Sequence, residues 1–408
     1  MLQCAGSWSA TGCVATCGRA DSLHTLVLPS YYPTAHQPTL GVFFREQVLA
    51  LRDSGVDLGV VYAEGRSLRT ARPSDLGQSH FQVLWDDDGR VPTLRRKGWN
   101  TLAQTLPGAA AWVRQMEGLS LRYVRERGLP DVIHAHNALW GGVAAARVAA
   151  AIGRPYVVTE HSSAFLTGSL TNRERFAAEA TYLGAAKVLS VSRSLARAME
   201  RLTTVRSTIV VPNTVDTAFF SLPRAARQRE PLVVLSIGNL TPNKGFDSLL
   251  AAFATLRVGR SQAVLEIGGE GPEQHRLESM ARRLGVGSRV RFLGQLSRVE
   301  VRDAMWRANA FVLASRLETF GVVLIEALAT GLPVISTGCG GPEDIIVPEV
   351  GVLLAPGDEQ GLADAMVAVG SSERFKPEVL RAYAAQRFGY ETVGRSLREI
   401  FEQAASVR

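Results

Sequence analysis

The chain alternates short apolar runs with helical stretches, breaks off, and then alternates again. No other feature restricts its fold as tightly. The run TLVL (25–28) is closed by Pro29 and Ser30, and residues 58–62, 131–134, 156–159, 188–191 and 209–211 repeat its character. Continuous apolar runs of this kind, rather than polar–apolar alternation, mark strands buried on both faces. Helical stretches separate most of them, at 39–53 (ended by Gly55), 142–152 and 194–202. Strands alternating with helices predict a parallel sheet carrying helices on its faces. The polar, basic, proline-bounded segment PRAARQREP (223–231) reads as a linker. After it the pattern restarts, with strands at 232–237, 263–267, 290–293, 310–313 and 334–336. Helices are expected near 245–256 and 273–284 and after Phe320. The chain therefore reads as two α/β domains, 23–222 and 232–385, with one more amphipathic helix in 386–408.

Residues 1–22 carry only Arg19 and Asp21 as charges and show neither period, so they read as a disordered tail. That tail holds Cys4, Cys13 and Cys17. Only Cys339 lies in the body, which excludes a disulfide framework and suits a reducing cytosol. No apolar run reaches the roughly 18 residues that span a bilayer. The N-terminus also lacks the basic start of a secretory signal. A cytoplasmic location follows as the expectation. The stretch Arg95-Arg96-Lys97-Gly98-Trp99, with Trp112, adds the option of peripheral contact with the inner face of the plasma membrane. An ordinary solvated face is the competing reading. The formal charge of +7 favours anionic partners. Nucleic acid has no zinc spacing or aromatic platform behind it.

Chemistry concentrates in ASRLETFGVVLIEALATGLPVISTGCGGPED (314–344). A strand ends near Ser315, a loop carries Glu318, and Phe320-Gly321 opens a helix that holds Glu326 and stops at Gly331 and Pro333. Open α/β sheets bind ligands beyond the carboxyl ends of their strands, which places Glu318 at such a crevice. The first amides of the helix, at Phe320, Gly321 and Val322, suit an anionic or hydroxyl-rich ligand there. A carboxylate only accepts hydrogen bonds, as sugar hydroxyls require. A glutamate inside the apolar VVLIEALA is not an ordinary solvated side chain.

These residues resemble the donor site of the family 4 retaining glycosyltransferases of GT-B fold. The Glu318-x7-Glu326 spacing, TFG between the two and GLPVISTGCGGPED after them carry the resemblance. So do LSIGNLTPNKGFDSLLAAF (235–253), LEIGGEGPEQHRLESMARRLGVGSRVRFLG (265–294), VVPNTVDTAFF (210–220) and YYPTAHQPTLGVFFREQ (31–47). The resemblance covers the chain from Leu23 to its C-terminus. It implies an N-terminal acceptor-binding and a C-terminal nucleotide-sugar-binding Rossmann-like domain facing each other across a cleft, with the last helix crossing back to the first domain. It implies no cofactor beyond a UDP- or GDP-linked sugar and no metal. Glu326 is expected on the ribose hydroxyls, Glu318 on the donor sugar beside the Phe320, Gly321 and Val322 amides, and Lys244 on the diphosphate. Gly238 and Asn239 stand where the family carries its GR(L) sequence. Asn239 brings no charge, and Arg316 is the candidate replacement. His161 is expected near the donor sugar and phosphate, His136 on the acceptor side, and Gly41 where backbone must approach the transferred group. The implied activity is retaining transfer of a hexose-type sugar to a glycan or lipid-linked acceptor in cell-surface polysaccharide synthesis. A sugar-nucleotide-binding subunit without turnover and a nucleotide-sugar epimerase are the alternatives.

Other motifs are weaker. Asp86-Asp87-Asp88 could mimic the metal-binding DxD of another transferase class, but Gly89 and VPTLRRKGW after it make a hairpin with solvated aspartates the better reading. Gly268-Gly-Glu-Gly271 and Gly338-Cys-Gly-Gly341 miss the GxGxxG spacing of a dinucleotide fingerprint. His134 and His136 share one side of a strand end, without further ligands at metal-site spacing.

Overall fold

The structure is a computed structural model. It describes residues 22–35, 37–66, 81–87, 91–99, 105–228, 230–256 and 263–406. The expected N-terminal tail lies outside the described residues except for Ser22, and so does the turn at Asp88 and Gly89.

The first unit runs β1 (His24–Pro29), α1 (Val42–Asp53), β2 (Asp57–Arg66), β3 (Val83–Asp87), β4 (Pro92–Trp99), α2 (Leu106–Arg127), β5 (Val132–His136), α3 (Val143–Ile152), β6 (Tyr156–Glu160), α4 (Ala164–Thr167), α5 (Asn172–Gly184), β7 (Lys187–Ser190), α6 (Arg193–Leu202) and β8 (Thr208–Val210). Its strands form one sheet in the order β3-β4-β2-β1-β5-β6-β7-β8. All neighbours are parallel except β3 against β4. The expected hairpin is that antiparallel pair.

The second unit runs β9 (Val233–Ile237), α7 (Phe246–Ala254), β10 (Val264–Gly268), α8 (Gln274–Arg283), β11 (Val290–Gly294), α9 (Arg298–Arg307), β12 (Ala310–Leu313), α10 (Val322–Ala329), β13 (Val334–Thr337), β14 (Gly351–Leu354), α11 (Glu359–Gly370), α12 (Pro377–Phe388) and α13 (Tyr390–Ser406). Its sheet is wholly parallel in the order β11-β10-β9-β12-β13-β14. In each sheet the order reverses beside the first strand of the unit, which opens a crevice at the strand carboxyl ends.

The expected C-terminal helix is α13, set off from α12 at Gly389, whose neighbourhood is tied to the first unit. Val215 N donates to Phe388 O (2.9 Å), as does Thr214 Oγ1 (2.7 Å). Helix α13 then buries Val393, Leu397, Ile400, Phe401 and Ala404 against Val48, Leu49 and Leu51 of α1. Each large apolar side chain so covered contributes about 1.5–3 kcal/mol to holding the crossing helix. The linker is fastened too. Arg227 donates to Thr330 O (2.6 Å) and Gly331 O (2.8 Å).

Candidate active site

Lys244 is placed by backbone crowding. It ends a single 3-10 turn, Pro242–Lys244, after β9. The next residue, Gly245, has φ 66°, and a Cβ there would lie 1.9 Å from Ala314 O at the end of β12. Only glycine permits that approach. The Lys244 ammonium pairs with the Glu318 carboxylate, which also accepts from Ser315 Oγ at 3.2 Å. The two residues assigned to one site are therefore in direct contact. Glu318 itself is fastened through its backbone to the glycine-rich loop after β13, with Glu318 N on Cys339 O (3.1 Å) and Gly341 N on Glu318 O (2.9 Å). A Cβ on Gly341 would stand 2.2 Å from Phe320 Cα, so this glycine serves close packing of two loops. Phe320 and Gly321 are buried, and Val322 starts α10.

Arg316 is committed elsewhere. Its Nη2 reaches both Asp247 carboxylate oxygens at 2.9 Å, and Nη1 donates to Pro242 O. It braces the turn that carries Lys244. Asn239 is exposed, and its carbonyl accepts from Thr241 N at 2.8 Å. Gly238 N donates to Gly268 O (3.0 Å), which joins the loops of β9 and β10.

Glu326 lines a cavity of about 1000 Å³ between the two units, together with Phe43, Arg45 and Lys97 from the first and Ser297 and Arg298 from the second. Among the described residues its carboxyl has no hydrogen bond or ion pair. Burial pushes its pKa up to about 8; Glu46 adds to the rise, and Arg298 opposes it. The residue set that shapes this corner was not legible in the sequence. Arg298 donates Nη1 to Glu46 Oε1 (2.8 Å) and Nη2 to Glu46 Oε2 (2.7 Å), and the Tyr390 hydroxyl donates to Glu46 Oε2 (2.6 Å). Three distant segments, α1, α9 and α13, meet there. The Arg298 guanidinium also lies 4.6 Å from the Phe219 ring centroid. The one available signal was Glu46 itself, a charge within an apolar helix face.

The histidines form a buried stack. His134 and His136 alternate on β5, and His161 follows β6. His136 Nδ1 and His161 Nε2 are 3.1 Å apart, and His134 Nε2 meets Thr159 Oγ1 at 2.8 Å. Burial lowers all three, His134 to about 3, so they are neutral across physiological pH. His136 lies in the core, fully buried, with Phe44 stacked at 4.7 Å. Phe43 covers His161 (5.2 Å) and itself lines the cavity. Glu160, also fully buried, accepts from Ala138 N (2.9 Å), His161 N (3.0 Å), Ser162 N (2.8 Å) and Tyr182 Oη (2.6 Å), which fixes the loops that position His161. Gly41 precedes α1 at φ 72°, and a Cβ on it would come within 2.8 Å of Tyr31 O. Its glycine is demanded by the chain's own turn.

Two residues of the basic, tryptophan-bearing set, Arg95 and Trp112, are committed inside the fold, while Arg96, Lys97 and Trp99 are partly exposed. Arg95 is buried, bonded to Asp86 (3.1 Å) and Pro33 O (3.0 Å), and Trp112 Nε1 donates to Ala63 O (2.8 Å). Burial pushes the Cys339 thiol up to about 12, which leaves it no nucleophilic thiolate at neutral pH. Among the described residues, no group of three or more His, Cys, Asp or Glu could hold a metal, and no helix is long and apolar enough to cross a membrane.

Residues 40–219 match the family model described as Glycosyltransferase Family 4, and residues 221–387 match Glycosyl transferases group 1. The chain is 28% identical over 371 residues to TuaC of Bacillus subtilis, a glycosyltransferase assigned to teichuronic acid biosynthesis, covering 87% of this chain and 91% of that one. Sucrose-phosphate synthase from Thermosynechococcus elongatus superposes with TM-score 0.76 at 20% identity, over 95% of this chain and 100% of that one. Anabaena HepE in complex with UDP and glucose gives 0.69 at 21%, over 94% and 100%. Such likeness at low identity reports the fold, and these are glycosyltransferase folds of two Rossmann-like units. The chain belongs to the group 1, family 4 glycosyltransferases and has the GT-B fold.

Proposed function

We propose that the chain moves a hexose-type sugar, with retention of anomeric configuration, from a UDP- or GDP-linked donor to a glycan or lipid-linked acceptor in cell-surface polysaccharide synthesis. The observation that carries this is that the loop holding the Lys244–Glu318 pair leads directly into α10, whose Val322, Val323 and Glu326 line the cavity, Glu326 having no hydrogen-bond or ion-pair partner among the described residues. Glu326 receives the ribose hydroxyls. Glu318 receives sugar hydroxyls once the donor diphosphate draws Lys244 away from it. Lys244 then neutralises the charge that builds on the leaving diphosphate. Arg316 and Asp247 hold the lysine turn in place, and the Gly238–Asn239 backbone borders the diphosphate. His161, neutral and held by Glu160, packs under Phe43 at the donor wall. His136 acts through His161 rather than on the acceptor.

Retention by double displacement needs a carboxylate nucleophile at the anomeric carbon. Glu318 is ion-paired and assigned to hydroxyl binding. A front-face route follows, in which the acceptor hydroxyl gives its proton to the departing diphosphate oxygen as the new glycosidic bond forms. Positioning and charge stabilisation supply the catalysis. The similarity to TuaC supports a polymer-building role, and HepE's complex with UDP supports a uridine nucleotide. Asn239 in place of an arginine favours a second reading, a binding subunit without turnover.

A thermal-shift screen against nucleotide sugars tests the donor site, since a bound donor stabilises only the folded chain. One donor should raise the wild-type midpoint and leave Glu326→Ala unmoved. Equal shifts in both would refute the Glu326 role. Transfer of that donor's sugar, with the product anomer read by NMR, separates the readings: an inverted product removes retention, and binding without release of nucleoside diphosphate selects the non-catalytic one.

A further inference from the structure

We infer that a notch on the rim of the first unit is a second sugar subsite, which holds a residue of the acceptor glycan away from its reacting end. The notch lies at the carboxyl ends of β2 and β4, against the start of α2, and encloses about 120 Å³. Phe81, Trp99 and Trp112 supply its aromatic walls. Trp112 is fixed by the hydrogen bond from its Nε1 to Ala63 O (2.8 Å). Phe81 is 58% exposed, and its φ of 61° is a left-handed backbone that a bulky side chain rarely adopts. The chain thus holds an aromatic ring in solvent against its own backbone preference, as strained residues at ligand sites do.

Polar groups stand among these rings. Arg96 and Gln115 line the notch and are half-buried. Among the described residues, neither side chain forms a hydrogen bond or an ion pair; the Arg96 guanidinium lies 5.8 Å from the Phe81 ring centroid. Such groups can bond a ligand without first breaking an internal bond. Glu64 completes the set. It lines both the notch and the cavity of about 1000 Å³, so the two sites adjoin at this residue. Strand β4 serves both as well. Arg95 and Lys97 line the cavity, and Arg96, which alternates with them, lines the notch.

A pyranose ring presents an apolar C–H face and a rim of hydroxyls. Aromatic walls cover the face. Arginine donates, glutamate accepts and a glutamine amide does both, which is what hydroxyls require. A few placed polar groups within aromatic walls are the usual make-up of a small-ligand site. A hydrocarbon tail in the same notch would leave Arg96 and Gln115 facing it unpaired. The position agrees, since open α/β sheets bind ligands beyond the carboxyl ends of their strands. One acceptor chain can place its reacting end in the cavity, pass Glu64, and set an earlier residue in the notch. The subsite deepens the proposed function and rests on the acceptor being a glycan. It makes the acceptor a chain of several sugars rather than a single one.

Saturation-transfer NMR on the full chain, with the aromatic protons irradiated, tests the subsite. The probes are maltohexaose, cellohexaose, chitohexaose and a hyaluronan hexasaccharide, compared with glucose. At least one hexasaccharide should receive saturation on its ring protons, and glucose should receive far less. The F81A/Q115A variant should weaken that binding about tenfold or more, with an unchanged thermal midpoint and an unchanged donor-dependent thermal shift. Absence of saturation on every hexasaccharide overturns the proposal. So does binding by F81A/Q115A at the wild-type level, which would place the glycan in the cleft alone. Octyl glucoside saturated on its alkyl chain rather than its ring would mark a hydrocarbon slot, and that also overturns it. The donor shift is read on the same samples. A donor shift without glycan binding removes the subsite alone, and glycan binding without a donor shift removes the donor reading alone.

Discussion

Glu326 is held in a conflict that a donor would resolve. Its carboxyl lies in the cavity wall with Glu46 and Arg298 nearby, and burial pushes it up to about 8. A carboxyl whose folded pKa is raised binds its proton more tightly folded than unfolded, so its stability contribution is full below about 4.5 and fades as pH rises through about 8. Glu326→Gln removes this loss. The variant should melt with the wild type near pH 4.5 and progressively above it toward pH 8, with the gap constant beyond. Differential scanning fluorimetry across pH reads this directly, and a pH-independent gap would show that Glu326 is ionised and comfortable. The same variant should bind donor more weakly, so stability and function part company at this residue. The spacing of Glu318 and Glu326 pointed to both acids because each follows from one strand–loop–helix unit. Arg298 could not be read off the same way. It meets Glu46 across 252 positions, and no local pattern encodes such a pairing.

At the scale of elements, the buried strands were legible because a strand covered on both faces must be apolar throughout. Strand β12 lies at Ala310–Leu313, where the apolar run stands. Helix α5 was not legible for a physical reason. In NRERFAAEATYLG the large apolar Phe176 and Leu183 face outward while the small Ala178 faces the core, so apolar periodicity marks the wrong stripe. Helix α2 escaped as well, because Pro107, Gly108 and Gly118 dilute a pattern whose buried positions include Val113, Met116 and Tyr123. Turns show the reverse: glycine positions encode geometry exactly where backbones touch or φ is positive. Gly41→Ala would place a methyl 2.8 Å from Tyr31 O at φ 72°. It should cost about 2 kcal/mol or more, read as a lower urea midpoint. An unchanged midpoint would mean that the loop before α1 relaxes freely.

For the whole molecule, the two units are joined at several separate places. One is Glu46 with Arg298 and Tyr390, another is Arg193 with Asp344, and α13 spans from the second unit to α1. Glu46 is almost fully buried, so Glu46→Gln leaves Arg298 without its counter-charge and should cost about 3 kcal/mol. It should also lower the Glu326 pKa, because the neighbour that raises it is gone and Arg298 is freed toward it. The pH at which the Glu326→Gln gap levels off should then fall in the Glu46→Gln background. No change there would uncouple the two acids.

The most direct measurement is release of nucleoside diphosphate from the donor found by thermal shift, compared between wild type and Lys244→Ala at saturating donor and acceptor. Loss of a charge placed on the leaving group should cut turnover by about 100-fold or more, with the folded midpoint little changed. Turnover of Lys244→Ala at the wild-type rate would contradict the assignment of the Lys244–Glu318 pair to the donor site.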